Sequence, residues 1–293
     1  MKRCLLALAV MIVAAAGANG QNRAEIGPGN GEQSAALPGA TLRLFTYRPT
    51  DCTPDLLLLV FHGVQRDAGP YRDHARPLAD RLCALVVAPQ FDKQRFPRDL
   101  YQYGGIVQNG VAVTPGGRTV DLVAPLAAWA RAAAGSPQMP YVLLGHSAGA
   151  QFVDRVAAFA TTDAARMVAA NPSTWVMPSL AEPAPFGFGR FGPTGDAEAA
   201  LRAYLARPLV VLLGDADTGK HNLAASPEAM AQGPYRLARG RNAFRQARET
   251  AARMSWPFNW TLVEIPGVGH NAAAMFAAPQ TAAALEDLSH PRP

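Results

Sequence analysis

The sequence predicts an α/β fold, a mostly parallel sheet with helices on both faces, and three observations carry that prediction. Short apolar runs recur along the chain: "LLLLVF", "ALVVAP", "YVLLG" and "PLVVLLG". They do not alternate with polar residues, as strands buried on both faces of a parallel sheet do not. Between them lie segments with apolar residues at helical spacing, and repeated β–α alternation implies a parallel sheet sandwiched by helices. The third observation is size. With 293 residues, 49% hydrophobic and 17% charged, the chain can fill one large core, so one domain is expected rather than two.

The N-terminus reads as a secretory signal peptide over residues 1–18. Lys2 and Arg3 supply the positive start, "CLLALAVMIVAAA" the apolar run, and Ala16-Gly17-Ala18 the small-x-small cleavage pattern. The run is shorter than the roughly 20 residues a membrane span needs. Cleavage is expected after Ala18, with Gly20 as the alternative site and an uncleaved anchor as the competing reading. The mature protein is then secreted or periplasmic, with no stable membrane anchor. Residues 19–40 are polar and rich in Gly and Asn, and they are expected to form a weakly ordered arm. The domain proper spans 41–293.

"TLRLFTYRP" (41–49) alternates apolar and polar residues, as a half-buried edge strand does. Strand 55–63 follows, then a helix over about 70–82 and strand 84–90. A helix over about 119–134 leads to strand 141–145. Apolar residues at 152, 153, 156, 157 and 160 mark the next helix. Strands at 167–172, 208–215 and 259–267 complete the pattern, with a helix over about 240–254 before the last. Residues 172–207 contain "PFGFGRFG" and too many Gly and Pro for a plain crossover helix. An inserted loop over one edge of the sheet is expected there.

The formal charge of +5 comes almost entirely from scattered Arg, without a Lys/Arg block, so nucleic-acid binding is not expected. There is no H-E-x-x-H, paired-Cys metal spacing, P-loop or dinucleotide fingerprint, so neither a cofactor nor a metal is implied.

Gly145-His146-Ser147-Ala148-Gly149 carries the chemistry. This G-x-S-x-G follows an apolar strand and opens an amphipathic helix, the strand–turn–helix context of a nucleophile elbow. A Cβ at either glycine would collide with the neighbouring helix or strand. Ser147 is therefore the candidate nucleophile, at a helix N-terminus that favours developing negative charge. His146 is expected to stand aside. A serine nucleophile needs a base, and the base an orienting carboxylate. His270, in "IPGVGHN" after the last strand, is the candidate base. Asp217, in "LLGDADTG", is the candidate acid, and Asp215 is the alternative that alternation cannot separate from it. The order Ser…Asp…His is one of the known triad orders. Two backbone N–H donors for an oxyanion are expected from Ala148 and from Val64 in "VFHGVQ", with Gln65 as the alternative to Val64.

"FHG", "GHSAG", "GDADT" and "GVGH" together resemble the α/β-hydrolase superfamily. The texture "HGVQRDAGPYRDHARPLADR", followed by "VVAPQFDKQRFP", resembles its secreted branch of poly(3-hydroxybutyrate) depolymerase-like and feruloyl-esterase-like proteins. The resemblance spans roughly 41–275. It implies the α/β-hydrolase fold, Ser147, Asp217 and His270 as a triad, and the Val64 and Ala148 N–H groups at the oxyanion. The expected activity is hydrolysis of carboxylic esters, short-chain, hydroxyalkanoate or aryl, on a small-molecule or oligomeric substrate. A peptidase or amidase on the same scaffold is the first alternative, and a non-catalytic binding protein the second.

Trp175, Tyr101 and Tyr103 are candidate substrate-lining residues, with core packing as the competing role. Phe186, Phe188 and Phe191 are candidates for a lid. In this fold Cys52 and Cys83 each precede a strand, and successive strands are parallel neighbours. Both then lie at one edge of the sheet within bridging range. A disulfide is expected, with two unpaired buried cysteines as the alternative.

Overall fold

The structure is a computed structural model and describes residues 25–192 and 194–289. The expected signal peptide, and residues 19–24 of the expected arm, lie outside the described residues.

The strands are β1 (Gly29–Leu37), β2 (Ala40–Arg48), β3 (Leu56–Phe61), β4 (Ala84–Pro89), β5 (Val107–Gln108), β6 (Val111–Ala112), β7 (Tyr141–His146), β8 (Arg166–Ala170), β9 (Leu209–Gly214) and β10 (Thr261–Ile265). Eight of them form one sheet in the order β1-β2-β4-β3-β7-β8-β9-β10. From β4 to β10 every pairing is parallel, and β2 joins antiparallel to both β1 and β4. The remaining two, β5 and β6, form a small hairpin. Asn109 and Gly110 turn it with φ of 51° and 78°, the positive values that an Asn-Gly turn supplies.

The helices are α1 (Ala68–Leu82), α2 (Val123–Ala133), α3 (Ala148–Phe159), α4 (Thr194–Leu205), α5 (Pro227–Gln232), α6 (Arg236–Met254), α7 (Ala272–Ala277) and α8 (Pro279–Ala283). The unbroken apolar runs now have their explanation. In β3, Leu57, Leu59 and Phe61 face a core shared with α2, α3, α4 and α6. Leu56, Leu58 and Val60 face a second core shared with α1, α7 and α8. Period-2 alternation sends neighbours to opposite faces, so a strand covered on both sides must be apolar at every position.

Two expectations need correction. Residues 29–37 are not part of a loose arm, because β1 pairs with β2 along its whole length, from Gly29↔Arg48 to Leu37↔Ala40. Consequently β2 is not the edge strand; β1 is. The composition misled because an edge strand needs few apolar side chains when its backbone hydrogen bonds are met by a neighbour. The turn signal was present all the same: Pro38-Gly39 joins the two strands, with Gly39 at φ 81°. The segment 172–207 also differs from a plain loop. It is irregular as far as 192 and then forms α4, whose Ala197, Leu201, Tyr204 and Leu205 are buried at i, i+4, i+7 and i+8. Gly and Pro averaged over the whole segment hid that periodicity.

Cys52 and Cys83 form a disulfide, with Cα atoms 6.1 Å apart. They sit just before β3 and β4, whose pairing begins at Leu56↔Ala84. A closed loop of this length contributes about 3–4 kcal/mol in the chain-entropy model. The protein from residue 19 onward should therefore show no titratable thiol when denatured without reductant. Reduction should lower the unfolding free energy read from urea titrations by an amount of that order. Two thiols in the unreduced protein would count against the bridge.

Candidate active site

The tip of β7 and the start of α3 make a turn too tight for side chains. A Cβ on Gly145 would lie 2.3 Å from the Gly149 carbonyl oxygen, and one on Gly149 would lie 2.1 Å from that of Phe61. Between these glycines Ser147 takes φ 58° and ψ −114°. This backbone region costs energy for a residue with a side chain. The Ser147 N–H holds the turn in place by donating to the Ala170 carbonyl at 2.9 Å.

The loops after β9 and β10 reach the same point, and they are tied to each other. A Cβ on Gly214 would lie 2.2 Å from the Val268 carbonyl oxygen, so the β10 loop crosses directly over this glycine. The Ala216 N–H donates to the Val268 carbonyl at 3.1 Å. Asn171, at the end of β8, accepts from the Gly214 N–H at 2.9 Å and donates to the Gly269 carbonyl at 3.3 Å. His270 is thereby held over Asp217 and Ser147. Its Nδ1 lies 2.7 Å from Asp217 Oδ2, and its Nε2 lies 3.0 Å from Ser147 Oγ. A carboxylate can only accept, so Nδ1 carries the hydrogen and Nε2 presents its lone pair to the serine hydroxyl. Asp217 is 2% exposed, and its other oxygen meets Arg236 Nη1 at 3.5 Å. Asp215 does something else: its Oδ1 accepts from the Gly267 N–H at 2.6 Å and stitches the two loops together.

Ser147 opens onto two adjoining clefts. One, of about 420 Å³, is lined by Val64, Gln65, His74, Ser147, His270 and Asn271 among others. The other, of about 160 Å³, also includes Val64 and Ser147 and adds Ala148. Val64 and Ala148 thus flank the serine, and Ala148 is the first residue of α3, where a helix has no partner of its own for the N–H. A larger cavity of about 630 Å³ lies between α4 and the Trp256-Pro257 turn. It includes none of the residues around Ser147.

Among the aromatic candidates, Tyr103 lines the smaller cleft, but Trp175 and Tyr101 do not line the site. Trp175 is 0% exposed, and its backbone is held on both sides by the Gln232 amide. Tyr101 stacks between Phe91 and Phe152 and donates its hydroxyl to the His62 carbonyl at 2.8 Å. Both are core residues, because the backbone turns each ring inward. Phe188 is likewise buried, packed on Phe159 and Tyr204, and Phe191 packs on Phe159. Only Phe186, edge-on to Tyr103, stands beside the cleft. A lid of all three is not what the segment forms.

Several supporting residues surround this hydrogen-bonded line. His146 makes no hydrogen bond to Ser147, His270 or Asp217, yet its ring lies 4.5 Å from that of His270. Tyr71 Oη meets its Nδ1 at 3.1 Å. Full burial, helped by the nearby His270 and Arg236, holds the His146 imidazole well below its usual range. It is therefore a neutral wall behind His270. Arg236 and Asn171 had no sequence signal, since each acts through partners far away in the chain.

His62, the residue before the oxyanion loop, is buried and doubly bonded. Its Nε2 accepts from the Phe91 N–H at 3.0 Å, so Nδ1–H donates to the Gly63 carbonyl at 3.1 Å. Burial pushes its pKa down to about 3, only partly opposed by the bond to Gly63. In the unfolded chain a histidine titrates near 6.5. The stability from a neutral His62 is therefore present above about pH 6.5 and lost as the pH falls toward 3. Between pH 7 and 4.5 this one group should cost about 2–3 kcal/mol of unfolding free energy. His62→Gln, which can still accept from Phe91, should show a correspondingly smaller acid loss in urea titrations. Equal acid losses in the two proteins would rule out His62 as the cause.

No family model matches the chain, and no curated protein does. Solved structures do. The chain is 34% identical to poly(aspartic acid) hydrolase-1 from Sphingomonas sp. KT-1, with a TM-score of 0.80 over 87% of this chain and 98% of that one. It is also 34% identical to LpqC, a poly(3-hydroxybutyrate) depolymerase from Bordetella parapertussis, with a TM-score of 0.81 over 91% and 93%. The chain belongs to the α/β-hydrolase superfamily, in its poly(3-hydroxybutyrate) depolymerase-like branch. More distant structures share the fold: a thermostable esterase from Pseudomonas putida ECU1011 matches this hydrolase at 15% identity and TM-score 0.53, over 88% and 80% of the two chains. The expected α/β-hydrolase fold is thus met in both topology and kinship, and the chain is an α/β hydrolase of the esterase type.

Proposed function

We propose that this hydrolase cleaves carboxylic esters through an acyl-enzyme formed on Ser147. The observation that carries the reading is the hydrogen-bonded line Ser147–His270–Asp217, assembled from three different strand ends. Ser147 Oγ attacks the ester carbonyl carbon while His270 Nε2 takes the hydroxyl proton. Asp217 holds the imidazole in the required tautomer and stabilises the imidazolium. The carbonyl oxygen becomes an oxyanion between the Val64 and Ala148 N–H groups. The C–O bond to the alcohol then breaks, and the alcohol leaves with the proton from His270. Water, deprotonated by His270, attacks the acyl-enzyme and returns Ser147 as the free hydroxyl. None of these steps calls on a cofactor or metal.

The substrates proposed are short-chain, hydroxyalkanoate or aryl esters, since the clefts beside Ser147 are small and lined by both polar and apolar groups. Secretion or export to the periplasm is part of the same proposal. It rests on the N-terminal pattern and on the Cys52–Cys83 bridge, which an oxidising compartment favours. Amide cleavage is the second reading, because poly(aspartic acid), the substrate in the name of one 34%-identical relative, is joined by amide bonds. Esters are favoured because an alkoxide leaves with less help from a general acid than an amine does.

A panel tests this. Purified protein should hydrolyse p-nitrophenyl acetate and butyrate, methyl ferulate or a hydroxybutyrate oligomer in preference to p-nitrophenyl palmitate and a peptide anilide. Activity should survive EDTA. Preference for the anilide would replace the ester reading with the amidase one. Silence on the whole panel, with no labelling by a fluorophosphonate, would overturn the enzyme assignment.

A further inference from the structure

The smaller cleft beside Ser147 is lined by polar and apolar residues in similar measure, and its polar side carries several hydrogen-bond donors. Gln151, one turn along α3 from Ser147, is 5% exposed, and Gln102 is 8% exposed. Both line this pocket of about 160 Å³. The structure fixes which end of the Gln102 amide faces it and places the Gln151 amide against a hydroxyl. Gln102 Oε1 accepts from Arg66 Nη2 at 3.3 Å. Gln151 Oε1 accepts from Thr174 Oγ1 at 2.8 Å, and Thr174 Oγ1 itself accepts from Arg155 Nη2 at 3.1 Å. An arginine can only donate, so the Gln102 amide cannot flip without setting donor against donor; the Thr174 hydroxyl, with one hydrogen and two lone pairs, gives its hydrogen to Gln151 in the arrangement described. The Nε2 groups of both glutamines are left with no partner among the described residues.

Two further donors join them. Ser173 Oγ accepts from the Ala224 N–H at 2.7 Å, which leaves its own hydrogen to give. Arg98 lines the same pocket, and its guanidinium has no acidic partner among the described residues. No Asp or Glu lines this cleft. A set of donors and one cation, unopposed by any carboxylate, suits a group with several acceptor lone pairs and negative charge.

We propose that this pocket holds a carboxylate carried by the acyl half of the substrate, with Arg98, Gln102 and Gln151 as its binding residues. The inference rests on the ester-hydrolysis reading above, which also tells the two clefts apart. The departing alcohol takes its proton from His270, so it leaves through the larger cleft that His270 and Asn271 line. The acyl chain, held on Ser147 with its oxygen toward Val64 and Ala148, extends into the other. The substrate class is therefore esters of acyl chains that end or branch in a carboxylate, half-esters of dicarboxylic acids being the simplest.

Three p-nitrophenyl esters with the same chain length test this after subtraction of enzyme-free hydrolysis. They are mono-p-nitrophenyl adipate, its methyl ester, and p-nitrophenyl hexanoate. The free acid should exceed the hexanoate in kcat/KM by roughly 10- to 100-fold, the range for hydrogen bonds to a charged group. Arg98→Ala should collapse that ratio toward 1, and Arg98→Lys should restore part of it. Gln151→Glu should invert it, since a carboxylate would then face a carboxylate. A methyl ester as good as the free acid would show that a neutral acceptor suffices, and would overturn the carboxylate assignment. So would an unchanged ratio in Arg98→Ala, or no preference in the wild type. If none of the three esters is cleaved in a Ser147-dependent way, the ester-hydrolysis reading itself fails and this inference goes with it.

Discussion

Ser147→Ala is expected to lower kcat on p-nitrophenyl butyrate by about 10⁶-fold, the scale seen when a triad serine is removed. The substitution deletes the hydroxyl that the proposed mechanism uses for attack, 3.0 Å from His270 Nε2, and touches little else. What Ser147 does for the fold it does through its backbone, donating to Ala170 and accepting from the Gln151 N–H. The left-handed backbone at φ 58° is no harder for alanine than for serine. Thermal stability should therefore stay close to wild type, within about 1 kcal/mol, and the loss can be read as chemistry. His270→Ala should be of similar severity, because an unassisted hydroxyl is a poor nucleophile. Residual turnover would come from the Val64 and Ala148 donors and from substrate binding. Retention of more than about one part in a hundred by Ser147→Ala, with contaminating esterase excluded, would falsify the assignment; one part in a million is what triad chemistry predicts.

Asp217→Asn should cost about 10⁴-fold in kcat, and the surroundings explain why no compromise is open to it. Asp217 Oδ2 faces His270 Nδ1 at 2.7 Å, and Oδ1 faces Arg236 at 3.5 Å. An asparagine has one oxygen for two donors. Turning its amino group to His270 forces the wrong tautomer, and turning it to Arg236 sets donor against a buried cation. Asp215→Asn keeps an oxygen for the Gly267 N–H and should change kcat by less than about 10-fold, the loss expected from a loop contact outside the reacting atoms. Steady-state kinetics on the two variants decides between them. A severe Asp215→Asn beside a mild Asp217→Asn would move the acid to Asp215.

Much of this site is legible in the sequence because its signals are local. The elbow needs two glycines around one serine, and the contacts a Cβ would make at Gly145 and Gly149 are contacts of that turn with its nearest neighbours. Strands covered on both faces must be apolar throughout, so β3, β4, β7 and β9 announce themselves. His270 could be singled out because it follows the last such strand in a glycine-rich loop. Cys52 and Cys83 could be paired once their strands were taken as neighbours.

Other features depend on which way a side chain turns, and local pattern says little about that. Trp175 and Tyr101 sit near the site in sequence terms, but their backbones aim the rings into the core. Residues 29–37 lack the composition of a strand and become one only because β2 offers a row of hydrogen-bond partners.

What the sequence by itself determined, then, is the layered architecture, the elbow serine, the candidate histidine and a short choice of acids. Each follows from strand periodicity or from a glycine-bounded turn, and both are patterns written in consecutive residues. The tertiary structure alone set Asp217 rather than Asp215 against the His270 ring, brought Arg236 and Asn171 to the loops that carry the site, and set the neutral His146 ring behind His270. It also turned the Gln102 amide oxygen onto Arg66. These outcomes rest on hydrogen bonds and burial between residues dozens of positions apart. Directional bonds of that kind are fixed only when the sheet has brought their partners together.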